Sequence, residues 1–189
     1  MSLVVVTAPA YEPISLQEAK DHLRVTGTDD DALIESKVTA VRMAVEDFLR
    51  RRLVTQTLDW RFDAFPDADC LETPVPIQSV TSIAYTDTAG DLQTWSTALY
   101  EVDVYAEPGR IAPVYGETWP FTQPMLNAIA IRIVAGYGTP PSVPRPIVEA
   151  MLLLLGSAYE HREETITGTI VATLPAAKSL LWNHRLWTP

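Results

Sequence analysis

The chain has 189 residues, 47% hydrophobic and 20% charged, a balance that excludes a disordered protein and fits one elaborated domain or two small lobes. Its net charge of −10 works against tight binding of nucleic-acid phosphates. The single cysteine, Cys70, excludes an intrachain disulfide, and the three widely spaced histidines do not suit a structural zinc site.

The first residues, Met1 to Val6, lack a basic segment, and their apolar run is short for a signal peptide. No later apolar run approaches the roughly 20 residues of a membrane span. The expectation is a soluble, non-secreted protein with no membrane partner. Ser15-Leu16-Gln17-Glu18 is a capping box. Leu16, Ala19 and Leu23 mark one face of a short helix expected to stop near Gly27. Thr28 to Asp31 opens a second helix, with acids at its positive end. Ile34, Val38, Val41, Val45 and Phe48 follow at helical period, predicting a helix over about 30–51, with Arg50-Arg51-Arg52 at its negative end.

The period then changes to two. Leu58, Trp60 and Phe62 alternate with polar residues, as in a half-buried strand. Val80 to Tyr85 reads as a strand, the turn Asp87 to Asp91 as a hairpin, and Leu92 to Trp95 as its return. Tyr100, Val102 and Val104 form another strand, and Ile129, Ile131 and Ile133 the last. Prolines mark the joints. After Gly136-Tyr137-Gly138, Pro144 or Pro146 suits the first turn of a helix. Its stripes Ile147, Met151, Leu154, Ala158 and Val148, Leu152, Leu155, Tyr159 place it centrally in a core. A final helix is expected over about 175–186. The fold class is α+β: a small antiparallel helical bundle of two N-terminal and two C-terminal helices (1–53 and 138–189), interrupted by an antiparallel β lobe (54–137). The lobe holds 11 acids and 3 bases, net −8, whereas the flanking segments carry −2 and 0.

Nothing in the pattern supplies catalytic, cofactor-binding or metal-binding residues. Gly136-x-Gly138 is followed by two prolines and no Lys-Ser/Thr pair, so it reads as a turn and not a phosphate loop. His161 with Glu160, Glu163 and Glu164 lacks a second ligand set. Asp29-Asp30-Asp31 lacks the pattern of a calcium loop. Cys70 has no nearby base to activate it, and Asp67/Asp69 lie in a proline-bounded loop. Two features suggest contacts instead. Arg50, Arg51 and Arg52 either compensate the helix dipole or meet an acidic neighbour. Trp182 and Trp187, within the stretch Leu180, Leu181, Trp182, Arg185, Leu186 and Trp187, need either the protein's own core or a partner surface to cover them.

The succession Pro13-Ile14-Ser15-Leu16-Gln17-Glu18-Ala19-Lys20-Asp21-His22-Leu23-Arg24-Val25, then Asp30-Asp31-Ala32-Leu33-Ile34, resembles the opening of the phage head–tail connector (adaptor) family. So do Ala44 to Phe48 and Arg51 to Thr57. Gly109-Arg110-Ile111, Val134 to Gly138, Pro146 to Leu155 and Tyr159 to Glu163 are similar to its longer subgroup with a β insertion, found in phages, prophages and gene transfer agents. The resemblance implies a structural virion protein and no enzyme: a homo-oligomeric ring, commonly twelve-fold, between the portal protein and the tail-side stopper protein. DNA would pass through without sequence-specific binding, and the protein would be made in the bacterial host cytoplasm. It also implies that the C-terminal stretch, here Leu180 to Trp187, engages the portal. Helices would supply the lateral contacts, and the lobe would decorate the ring. Competing readings are another neck or tail-completion protein, a β-lobe binding module if Trp95, Tyr105 and Trp119 share a groove, and a small hydrolase if His161 meets acids from another element.

Overall fold

The computed structural model describes residues 2–160 and 175–187. It divides into two compact units, Met1–Ala10 with Thr55–Gly136, and Tyr11–Val54 with Tyr137–Pro189.

The second unit is helical. Helix α1, Leu16–Leu23, begins where Ser15 Oγ accepts the Glu18 N–H at 3.1 Å, as the capping box requires. It ends before Gly27, because Arg24 itself adopts the left-handed conformation (φ 58°) and the Val25 N–H turns back to the Lys20 carbonyl at 3.0 Å. Helix α2 spans Asp31–Leu49, and Arg50 takes the left-handed C-cap position (φ 54°). The helix is therefore one turn-fragment shorter than its charge pattern suggests. Helix α3, Arg145–Glu160, starts under the Pro144 carbonyl, which accepts the N–H groups of Ile147 and Val148. Helix α4 is Pro175–Trp182, shorter than the expected 175–186.

Helix α2 packs on α3, α3 on α4, and α1 on both α2 and α3. Ile34, Val38, Val41 and Val45 of the predicted stripe are buried, with Leu49 added, against Ile147, Val148, Met151, Leu152 and Leu155. Phe48 is only partly buried at the margin of this core. Polar ties join the helices at the same level. Lys20 Nζ meets Asp31 at 2.6 Å, and the Tyr159 hydroxyl donates to Asp30.

The first unit contains a five-stranded antiparallel sheet and a three-stranded one. The five-stranded sheet orders β1 (Ser2–Thr7), β2 (Gln56–Phe62), β8 (Ile129–Ala135), β4 (Ile77–Thr86) and β5 (Leu92–Trp95). The other orders β3 (Leu71–Glu72), β7 (Arg110–Pro113) and β6 (Tyr100–Asp103). Residues Met1–Ala10, expected with the helices, belong here instead. The ladder with β2, with Leu3 opposite Trp60 and Val4 opposite Asp59, satisfies the backbone of β1 and fixes it to the sheet.

Register makes the alternation explicit. Leu3, Trp60, Ile131, Ile83 and Trp95 stand opposite one another in a row across all five strands. Trp60, Ile131, Ile83 and Trp95 are buried in one cluster. One residue along, Val4, Asp59, Arg132 and Ser82 form the neighbouring row, which the two-residue period turns to the other face. Gly109 precedes β7 where no side chain fits. A Cβ there would sit 2.9 Å from Ile77 Cγ1 and 3.2 Å from Thr73 Oγ1. Thr73 in turn binds the Gly109 carbonyl through both its N–H and its hydroxyl.

Candidate subunit interface

The arginine cluster is built by the way α2 ends. Glu46 is 2% exposed. One carboxylate oxygen accepts the Leu53 N–H at 2.9 Å, while the other meets Arg42 Nη1 at 3.0 Å and Arg52 Nη1 at 3.4 Å. Arg42 reaches on to Glu12 at 2.7 Å. The carboxylate thus draws the chain off the helix axis after Arg50. Arg51 is buried, and its Nε donates to the His184 carbonyl at 2.6 Å. Of the three arginines, Arg51 and Arg52 are used inside the unit, and Arg50 is exposed.

The C-terminal stretch is anchored by its leucines. Leu181 and Leu186 are buried, Leu180 is half-buried, and the Leu186 N–H donates to the Leu49 carbonyl at 2.9 Å, capping α2. Trp182 and Trp187 remain 44% and 59% exposed and meet edge-to-face with ring centroids 4.9 Å apart. The Arg185 guanidinium lies between the rings of Phe48 and Trp187, at 5.0 and 4.9 Å, a cation–π arrangement. Its buried Nε has no hydrogen-bond partner among the described residues. Beside this end, Ala44, Val45, Phe48, Leu154, Ala177, Lys178 and Leu181 line an apolar groove of about 230 Å³. The sequence pattern pointed to the tryptophans but not to the groove. Its only trace was Phe48, a large ring at the edge of the helical stripe.

Other candidates have structural uses. Asp30 and Asp31 are engaged by Tyr159 and Lys20. Gly136 and Gly138 adopt φ of 118° and 120°, which a turn requires of glycine. Cys70 is half-buried. No group of three or more potential metal ligands occurs among the described residues. His161, Glu163 and Glu164 lie outside the described residues. None of the helices of the described residues is long and apolar enough to cross a membrane. Trp95 is buried and stacks on Tyr100, whereas Trp119 stacks on Phe65 at 4.8 Å and donates its indole N–H to the Ala68 carbonyl. Trp119 lines an open groove of about 750 Å³ between residues 64–69 and 113–122, which neither Trp95 nor Tyr105 lines.

The lobe's three bases are each spent on its own acids. Arg132 grips Asp59 at 2.8 and 3.0 Å, Arg61 reaches the same carboxylate at 3.5 Å, and Arg110 pairs with Asp103 at 2.6 Å. Eleven acids against these three bases leave the lobe's surface negative. The hydrogen bond from Arg132 holds the buried Asp59 carboxyl below its usual range, against the opposing effect of burial. A depressed folded-state pKa adds stability that is complete above the unfolded pKa and lost as pH falls through the folded value. Asp59→Asn should therefore be less stable than the parent at neutral pH, with the difference shrinking below about pH 4. Urea midpoints measured across that range check this, and parallel profiles would refute it.

Residues 13–92 match the family described as the phage gp6-like head-tail connector protein, in agreement with the sequence resemblance. That family is structural and not enzymatic. No curated protein matches the chain. Among solved structures, the fold is similar to a chain in the neck of an empty gene transfer agent (GTA) particle computed with C6 symmetry, with TM-score 0.83 and 24% identity over 100% of this chain and 97% of that one. A chain in the virion of the native GTA particle is similar at TM-score 0.83 and 23% identity, again over 100% and 97%. So is one in the neck of the native particle computed with C12 symmetry, at TM-score 0.81, 23% identity and the same coverage.

Proposed function

We propose that the chain is a neck subunit of a phage, prophage or gene transfer agent particle, and that copies of it form a ring stacked between the portal protein and the tail-side stopper around the DNA channel. The match to head–tail connectors over 13–92 supports the class, and the fold shared with neck chains of C6 and C12 particles supports a repeated arrangement. The helical unit supplies lateral contacts. The negative lobe keeps DNA from adhering where its acids face the channel, since like charge repels the phosphate backbone.

The observation that carries the portal assignment is the Trp182–Trp187 pair, held outward by two buried leucines. Exposed tryptophans with an adjacent arginine are what binding hot spots are made of. Trp182→Ala with Trp187→Ala should leave the circular dichroism spectrum intact and weaken binding to the cognate portal ring at least about 30-fold, as the loss of about 2 kcal/mol implies. Negative-stain images of the mixture should show a second ring on the portal for the parent only. A ring that forms but stacks on a tail component would favour a tail-completion role. Undiminished portal binding by the double variant would remove these residues from the interface.

A further inference from the structure

We propose that the five-stranded sheet continues from copy to copy, the free edge of β1 on one subunit pairing with the free edge of β5 on the next. This rests on the ring reading above and gives the lobe a lateral role of its own.

Among the described residues, strand β1 pairs only with β2, and β5 only with β4. Each therefore presents an open row of main-chain donors and acceptors, the feature that invites another chain. Soluble proteins commonly guard such edges with charge or proline. These two strands, Ser2–Thr7 and Leu92–Trp95, contain neither. The edges of the second sheet are guarded: β3 carries Glu72, and β6 carries Glu101 and Asp103. In a lobe whose copies repel through a net charge of −8, the uncharged edges are where two copies can approach.

Length and direction fit as well. The register of β1 slips between Val5 and Thr7, so its regular ladder covers Ser2 to Val5, four residues against the four of β5. The five strands are antiparallel throughout, so the outer two run the same way. Joining β1 to β5 is then a parallel, head-to-tail contact. Such a contact is heterologous and propagates until a ring closes, whereas β1 on β1 would stop at a dimer. Apolar surface is present on both sides. Val4 and Val5 are each 49% exposed, and Leu92 is 77% exposed on β5.

The test uses the full chain with Cys70→Ser, carrying Val4→Cys, Thr94→Cys or both, two positions on the same face of the sheet, treated with a bis-maleimide in assembled material. The double variant should give a ladder of covalent multimers beyond the dimer, and each single variant none. Val4→Lys should raise the concentration needed for assembly at least tenfold while Val4→Thr does not, both keeping the parent's thermal melt. Rings that are visible by microscopy but give no ladder would overturn the sheet joint and leave the ring reading standing. Dimers from Val4→Cys alone would replace the joint with β1 on β1. Absence of rings, with or without the cognate portal, would overturn both.

Discussion

Replacing Glu46 by alanine is expected to destabilise the helical unit by about 3–5 kcal/mol, the range for breaking a buried ion pair by removing one partner. The carboxylate is 2% exposed, and the side chains of Arg42 and Arg52 around it are only 9% and 18% exposed. Without it, Arg52 is left with the exposed Asp47 at 3.9 Å, and Arg42 with Glu12 at 2.7 Å. The Leu53 N–H, whose bond to Glu46 is buried, also loses its acceptor. Leaving a buried donor unsatisfied adds its own penalty. Glu46→Gln keeps an oxygen for that N–H and should lose less. Urea denaturation followed by far-ultraviolet circular dichroism measures both. A loss under about 1 kcal/mol for the alanine variant would mean that the network behaves as a solvent-screened surface pair.

Trp60→Ala is expected to cost the lobe a similar amount, about 3–5 kcal/mol. Trp60 is 1% exposed and packs on Phe62 with ring centroids 4.9 Å apart. It also stands between Leu3 on β1 and Ile131 on β8 in the apolar row that crosses the sheet. Truncation opens a void at the second strand and removes the surface on which β1 rests. Trp60→Phe should cost less than Trp60→Ala, because it leaves a smaller void and the buried indole N–H has no hydrogen-bond partner among the described residues, so little polar bonding is forfeited. Thermal unfolding of the two variants separates the cases. A phenylalanine variant as unstable as alanine would show that shape, and not apolar volume, governs the site.

Strong periodicity was readable wherever a surface faces a single core. Ile34, Val38, Val41 and Val45 follow the helical step, and Leu58, Trp60 and Phe62 the strand step, because each set buries one face. Three strands were invisible for identifiable reasons. Residues Ser2–Thr7 form β1 without apolar–polar alternation, and they lie in sequence beside helices although they pair with β2. Strand β3 is two residues long, and β7 ends in Pro113 with only Ile111 fully buried. Helix ends were misplaced where arginine took a conformation usually left to glycine, at Arg24 and Arg50. At Arg50 the compensation is tertiary: Glu46 captures the backbone beyond it. The tryptophans near the C-terminus were legible as residues needing cover. Which neighbours anchor the stretch was not, since Leu186 finds Leu49 across more than a hundred residues of chain.

The polypeptide passes between its two units three times, after Ala10, Val54 and Gly136. No single scission therefore releases either unit whole. A fragment of 55–136 lacks the strand that borders β2, and a fragment of 11–54 lacks both helices that complete its core. Proteolysis at any one crossing should leave two pieces that stay associated under native conditions and part only in denaturant. Engineered versions of either unit will need their distant segments spliced together by a new linker.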